Sequence, residues 1–284
     1  MIQKSNESSG GILYLVPTPI GNFADMTFRA VEVLKNADYI YAEDTRVTKV
    51  LLSHFHISTP LSSYHIFNEE IQAEVILKYL AEGLKIALVS DAGLPGISDP
   101  GFLVAREAIK AGFSVISLPG ANAALTALIA SGLPSDKFFF YGFLSSKPSQ
   151  REKELNQLAD YPETLIFYEA PHRIQATLKS MYQVFKDREA VIARELTKKY
   201  EEYFRGNLKE IVESNHEFKG EIVILVAGSK LSSGQKELNS LQLEEHYQYY
   251  LDLGLNQKEA MKMTARDRGI SKSEVYKQIV KGKS

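Results

Sequence analysis

No cysteine and no tryptophan occur among the 284 residues. Without thiols there is no disulfide scaffold, thiolate zinc site, iron–sulfur cluster or cysteine nucleophile. The composition fits a reducing compartment. Charge of one sign is also lacking: 33 Lys+Arg stand against 35 Asp+Glu, a formal net charge of −2. That balance argues against a wholly basic nucleic-acid coat protein and leaves room for a local basic patch. Long apolar runs are missing as well. The richest, Phe138-Phe-Phe-Tyr-Gly-Phe-Leu144, is far shorter than the about 20 residues that cross a bilayer. The start, Met1 to Gly11, is polar and Ser/Gly-rich, with no apolar core for a signal peptide. The expectation is a cytoplasmic protein, without membrane contact, whose residues 1–11 are disordered.

What is present is ordinary for a globular chain: 44% hydrophobic and 24% charged residues. The length predicts roughly two domains and a small third piece. From residue 12 to 118 short β-rich runs alternate with helical patterns. Strands are expected at Ile12–Val16, Tyr39–Ala42, Lys85–Val89 and Phe113–Ser117, with helices at Phe28–Lys35, Arg46–Phe55, Glu70–Leu80 and Phe102–Lys110. This rhythm predicts an α/β domain over 12–119, built on a mostly parallel sheet.

Ala121–Ser131 is small and apolar, a buried helix by pattern. Beyond it the order changes. Strands are expected at Phe138–Phe143, Thr164–Tyr168, Glu189–Ala193, Tyr200–Arg205 and Glu221–Ala227, with helices only at Glu152–Leu158 and Pro171–Phe185. Strands that follow one another without helices predict a mixed sheet, hence a second α/β domain over 120–229. Ser229–Gly234 reads as a linker. A helical tail over 238–284 follows, with helices at Glu244–Leu253, Gln257–Arg266 and Lys272–Val280. Ser271 and Glu274 have the spacing of a capping box. The last two helices have the form of a helix-turn-helix. Lys258 to Lys283 holds eight basic and three acidic residues, a net of +5, which leaves −7 for the remainder.

Polar, Gly- and Pro-rich loops stand where the strands end, which is where open α/β sheets bind ligands. They are Pro17–Asn22, Glu43–Arg46, Ser90–Gly101, Pro119–Ala123, Glu169–Arg173 and Arg194–Glu201. In Ser90–Gly101 three glycines and two prolines in twelve residues set an unusual backbone path and expose N–H and C=O groups. The loop has neither the Gly-x-Gly-x-x-Gly spacing of a dinucleotide site nor the Lys-Ser/Thr end of a P-loop. It is either a ligand cradle or a long turn-rich connection. Asp44 or Thr45 suits a helix N-cap, while Arg46 suits bidentate phosphate or carboxylate recognition. His172, beside Pro171 at a helix start, reads as structural. No histidine or carboxylate stands three or four residues after it to make a metal pair, so no metal is expected. Lys198-Lys199 is either a solvated pair or a contact for an anionic substrate.

Together these loops carry a resemblance. The segments Val16-Pro-Thr-Pro-Ile-Gly-Asn22, Glu43-Asp-Thr-Arg46, Ser90-Asp-Ala-Gly-Leu-Pro-Gly-Ile-Ser-Asp-Pro-Gly101 and Leu118-Pro-Gly120 are followed by Tyr141-Gly-Phe143, Glu169-Ala-Pro-His-Arg173, Arg194-Glu-Leu-Thr-Lys198 and Lys219-Gly-Glu221. The chain resembles the tetrapyrrole methylase-like (class III) S-adenosylmethionine-dependent methyltransferases over residues 12 to about 228, and within them the branch that acts on small-subunit ribosomal RNA. Tetrapyrrole-methylating relatives open with Gly-x-Gly-Pro-Gly-Asp where this chain has Pro17–Asn22, which favours the RNA branch. Their fourth loop usually carries Ser or Thr where this chain has Asn122.

The resemblance implies two α/β domains with S-adenosylmethionine between them, a homodimer, and 2′-O-methylation of a cytidine ribose in 16S RNA of the small ribosomal subunit. The cofactor would then lie against Pro17, against Asp91, Ala92, Gly93, Pro95 and Ile97, and beside Pro119, Gly120 and Asn122, with Ala227 as a further wall. A ribose hydroxyl is a weak acid, so a base or an alkoxide-stabilising cation is expected. Asp44 and Arg46 are the first candidates, then Glu43 and Glu169, with Glu195 a further carboxylate. Arg173, Arg194 and Lys198 are candidates for the RNA, as are Lys262, Arg266, Lys272 and Lys277 of the tail, which otherwise serves as a helical cap or dimer element. Two other functions compete: a tetrapyrrole methylase, for which a basic tail has no evident use, and a helix-turn-helix regulator with the rest as a ligand sensor.

Overall fold

The computed structural model describes residues 10–230 and 238–281. Positions 1–9, the linker positions 231–234 and Lys283 lie outside these residues. Gly11, read from the sequence as part of a disordered lead, is buried instead. Its N–H donates to the Leu80 carbonyl at 3.1 Å, and a Cβ there would fall 2.5 Å from the Leu80 Cα.

The first sheet holds β1 (Ile12–Leu15), β2 (Tyr39–Ala42), β3 (Leu61–Ser63), β4 (Lys85–Val89) and β5 (Ser114–Ser117) in the order β3-β2-β4-β1-β5. Every pairing in it is parallel. Its central strand β4 is buried from Ile86 to Val89, as a strand covered on both faces must be. One face packs with α1 (Phe28–Asn36) and α2 (Thr45–His54), through Leu34, Ile40, Leu52 and Val89. The other packs with α3 (Glu69–Ala81) and α4 (Phe102–Lys110), through Ile76, Leu80, Leu88 and Val104. Because the strands are parallel, the loops after β2, β4, β1 and β5 emerge from four neighbouring positions at the same edge.

The second sheet holds β6 (Phe138–Phe143), β7 (Thr164–Glu169), β8 (Glu189–Arg194), β9 (Glu202–Asn207) and β10 (Ile222–Val226) in the order β6-β7-β10-β8-β9. Only β6 and β7 are parallel; the other pairings are antiparallel. The helices α6 (Pro148–Leu158), α7 (Ile174–Phe185) and α8 (Leu208–Glu213) cover one face around Leu155, Phe167, Leu178 and Ile211. The helix α5 (Ala123–Ser131), expected to be buried, covers the other through Ala127 and Leu128 but leaves Leu125 and Ile129 exposed. Ile20 and Ala92, from loops of the first sheet, join that same cluster, so the two sheets share a seam.

Two short elements escape a reading of periodicity. β3 has three residues and α8 has six, too few to establish a period. The strand expected at Tyr200 begins at Glu202, after a turn closed by Glu201 N–H to the Lys198 carbonyl at 3.1 Å.

The tail forms three helices, Leu243–Asp252, Gln257–Arg268 and Lys272–Lys281, with their own core around Tyr247, Tyr250, Ala260 and Val275. Ser271 and Glu274 exchange the capping-box bonds at 3.2 and 2.7 Å. The core encloses a polar network: His246 Nε2 lies 3.3 Å from Asp267, Tyr250 donates to the same carboxylate, and Arg268 Nε donates to His246 Nδ1 at 3.0 Å. Burial pushes the His246 pKa down, so the ring is held neutral. No helix among the described residues is long and apolar enough to cross a membrane.

Candidate active site

The gathered loops are sewn together before any ligand is considered. Thr18 and Gly93 exchange backbone bonds at 2.9 and 3.0 Å, and the Thr18 hydroxyl donates to the Ser90 carbonyl at 3.0 Å. Gly93 sits at φ +75°, a left-handed conformation that favours glycine. Pro17 and Gly120 touch so closely that a Cβ on Gly120 would lie 2.3 Å from the Pro17 ring. Asn122 caps α5, accepting from Leu125 N–H at 2.9 Å, so the side-chain bond expected of Ser or Thr in this loop is kept.

Between these loops and the second sheet lies a cavity of about 430 Å³, inside the ~300–1,000 Å³ range of small-molecule sites. Ala92, Gly93, Ile97 and Asn122 form part of its wall, with Glu43 and Asp91. Pro17, Pro95, Pro119 and Gly120 do not line it; Pro17 and Gly120 hold the loops in place behind it. Ala227 is buried in the second sheet's core, its N–H bonded to the Glu189 carbonyl at 2.9 Å. The expectation for Ala227 takes the wrong end of β10. That strand runs antiparallel to β7, so Ile222 and Val223 at its start reach the cavity, and Ala227 is about 13 Å further on at ~3.3 Å per residue.

The polar side of the cavity is acidic. Five acidic residues line it (Glu43, Asp91, Asp99, Glu169 and Glu221), and no basic residue does. Two of the five are neutralised internally. Glu169 accepts from Arg173 and Ala170 N–H at 2.7 Å each, and from the Thr177 hydroxyl. Glu221 pairs with Lys198 at 3.2 Å. Asp91 accepts the Asp44 N–H at 2.9 Å. Burial, followed by the charges of Glu43 and Asp91, pushes Asp99 up to about 7. Burial, followed by Asp91 and Asp44, also raises Glu43. Among the described residues no cluster of His, Asp and Glu is arranged to hold a metal ion.

The candidate bases therefore separate. Asp44 is the N-cap of α2 and grips Arg46, with Nη2 at 2.6 Å from its Oδ2. Its bonds to Arg46 push it down to about 2, which leaves it a poor proton acceptor. Glu169 is saturated with donors. Glu43 alone of the four expected catalytic groups both lines the cavity and has a raised pKa. Arg46 is not part of the cavity wall; its side chain is 89% exposed, near enough to Asp91 of the wall for that charge to act on it.

Three bases expected to face RNA hold carboxylates of their own chain. Arg173 bonds Glu169 and the Leu144 carbonyl. Arg194 bonds Glu202, its register partner across β8 and β9. Lys198 bonds Glu195 at 2.9 Å and Glu221, its stem lying against Gly21. A base after a strand shows in sequence; the acid that sheet register brings beside it does not. Lys262, Arg266, Lys272 and Lys277 of the tail are exposed. Asp99 and Phe143, both in the cavity wall, belong to motifs singled out in the sequence, yet neither stands out individually there.

A family model described as Tetrapyrrole (Corrin/Porphyrin) Methylases matches residues 12–212. The chain is 49% identical over 277 residues to "Ribosomal RNA small subunit methyltransferase I" of Bacillus subtilis (strain 168), covering 96% of this chain and 95% of that protein. It is 43% identical to the protein of the same name from Synechocystis sp. (strain ATCC 27184 / PCC 6803 / Kazusa), over 94% of this chain and 96% of that one. Among solved structures it is similar in fold to uroporphyrin-III C-methyl transferase from Thermus thermophilus complexed with S-adenyl homocysteine. That match has a TM-score of 0.55 at 20% identity, over 76% of this chain and 97% of the other. A cobalt precorrin-4 methyltransferase matches with a TM-score of 0.58 at 16% identity, over 76% and 94%. The chain belongs to the tetrapyrrole (corrin/porphyrin) methylase family.

Proposed function

We propose that the chain transfers a methyl group from S-adenosylmethionine to a ribose 2′-hydroxyl, that of a cytidine, in the 16S RNA of the small ribosomal subunit. The observation that carries the reading is the cavity lining: five acidic residues and no basic one, on a scaffold of backbone groups and apolar side chains. Such a lining suits a small cation, and S-adenosylmethionine is one; when bound it supplies a methyl group activated by the sulfonium charge. Gly93 and Ala92 offer close approach to its polar ends, and Ile97 and Leu196 give apolar contact. The RNA substrate follows from the relatives at 43–50% identity, whereas the corrin and porphyrin enzymes match only in fold. The two sheets with their intervening cavity, over 12–119 and 120–229, form the catalytic body, and residues 238–284 the RNA-docking tail. The protein works as a homodimer in the cytoplasm; the exposed apolar side chains Ile66, Phe67 and Ile71 are candidates for its interface.

In this reading Glu43 accepts the proton of the 2′-hydroxyl, its raised pKa making it a better base than an ordinary carboxylate. Asp44 does not take part in proton transfer; it holds Arg46 at the entrance, where the guanidinium meets an RNA phosphate. Displacement at the methyl carbon would need the attacking oxygen in line behind it at about 3–3.5 Å, and the residues lining the cavity, with Glu43 as base, would set that approach. Lys262 and Arg266, one helical turn apart, and Lys272 and Lys277 on the last helix contact the RNA backbone. Arg268 is turned inward, to His246 and the Leu241 carbonyl.

The test is incubation with methyl-labelled S-adenosylmethionine and undermethylated small subunits, mapping the label. Label on a ribose of 16S RNA supports the reading; label on a porphyrinoid instead, or none on RNA, ends it. Arg46→Ala should lower RNA methylation strongly with cofactor affinity nearly intact. Equal loss of both would remove the entrance role.

A further inference from the structure

Phe143 combines two properties that rarely coexist: it lines the cavity, and it is 54% exposed. Its placement comes from an irregularity in β6. Along that strand Phe139 and Tyr141 face the helix-covered core, while Phe140 faces the opposite side, toward the cavity. Strict alternation would next send position 143 into the helix-covered core. The register against β7 shifts between Phe140 and Gly142, and Gly142 adopts φ +83°. The extra residue reverses the phase, so Leu144 enters the helix-covered core and Phe143 pairs with Tyr168 at the cavity wall. Bulges re-aim side chains in this way beside functional sites.

The ring is braced. Phe143 meets Tyr168 edge-on, centroids 5.6 Å apart at 64°, and Tyr168 is held by Phe140 at 5.0 Å and 70°. In an edge contact Tyr168 can cover at most one face of the Phe143 ring, so the other is left available. The opposite lip is close: a Cβ on Gly142 would lie 3.1 Å from the Ser98 Oγ. An aromatic face at the rim of a cleft, with polar groups on the facing lip, matches the way single RNA bases are taken out of a helix, stacked on aromatic side chains and bonded at their edges.

We propose that Phe143 is the platform on which the base of the target nucleotide stacks while its ribose enters the cavity. This rests on the RNA methyltransferase reading above. Aromatic stacking of a nucleobase predicts that Phe143→Ala weakens RNA use by roughly 5- to 150-fold. The loss should appear in KM for small subunits and should exceed, by about fivefold or more, any loss of S-adenosylmethionine affinity by calorimetry. Phe143→Tyr should restore KM; Phe143→Leu, which keeps apolar bulk without a π-face, should not.

A second readout uses the absence of tryptophan from the chain. Phe143→Trp places a single indole at the platform, and its fluorescence in cofactor-saturated protein should be quenched further by small-subunit RNA. No further quenching by RNA, or a parent-like KM in Phe143→Ala, overturns the platform while the parent enzyme still methylates RNA. If the parent protein transfers no methyl group to RNA, the underlying reading fails and takes this one with it.

Discussion

Acidifying the buffer should weaken cofactor binding through one residue, Asp99. Its carboxyl is held at about 7 by burial and by the charges of Glu43 and Asp91, so near neutral pH about half the molecules carry it protonated. A sulfonium cation in the same cavity stabilises the ionised form and lowers that pKa. If the bound value falls below about 5, binding from pH 8 to pH 6 meets a carboxyl that passes from about 90% to about 10% ionised. Affinity should then drop roughly tenfold, about 1.4 kcal/mol, and binding at pH 7 should release about half a proton. Titration calorimetry in two buffers of different ionisation enthalpy measures both quantities. Asp99→Asn should flatten the pH dependence and remove the proton release, and Glu43→Gln should move the midpoint to lower pH by removing a neighbouring charge. Wild-type affinity that is constant from pH 6 to pH 8 would refute the coupling of these carboxylates to the cation.

Three further outcomes follow from other parts of the molecule. Gly120→Val forces the Pro17 and Gly120 loops apart and should cost about 1–3 kcal/mol of stability in denaturant unfolding, with weaker cofactor binding; unchanged values would show that the close contact is dispensable. The double change Lys262→Ala and Arg266→Ala should reduce the salt dependence of RNA binding, lowering the slope of log K against log salt by about 1–2, while leaving cofactor affinity as it is. In the tail, the His246 pKa is depressed by burial, with Asp267 favouring and Arg268 opposing its charged form. Its contribution to stability is therefore present above about 6.5 and lost as pH falls through the folded value. Amide protection factors of the tail helices, corrected for the intrinsic slowing of exchange in acid, should fall on acidification, and His246→Gln should reduce that dependence.

Much of the architecture is legible in the residues because it depends on local pattern. The buried run Ile86–Val89, most of the amphipathic helices, and the punctuation by Gly83, Gly112 and Gly254 mark elements within a residue or two of where they lie, whereas the helix expected from Glu152 starts at Pro148 and the one expected from Pro171 starts at Ile174. The Ser90–Gly101 loop is legible for a related reason: Gly93, Gly96 and Gly101 all take positive φ, which only particular sequences permit. What is not legible depends on pairings distant in sequence. Arg194 looks available until register sets Glu202 beside it. Asp44 looks like a base until its own helix N-terminus and Arg46 claim it. Asp99 has its pKa raised by burial and then by Glu43, 56 positions earlier, and Phe143 takes its direction from a bulge that alternation hides.

The shared cavity also bears on how the molecule comes apart. One wall belongs to a sheet with its own core, the opposite wall to a second sheet with another, and the carboxylates of both converge on the same space. A cation seated there acts as mortar between blocks that otherwise meet along a seam of few side chains. Ligand that binds only the assembled pair stabilises it in proportion to the logarithm of its concentration. The free protein is thus expected to melt in separable steps and the loaded protein in one, so calorimetric cooperativity reports occupancy of the cleft without any turnover being measured.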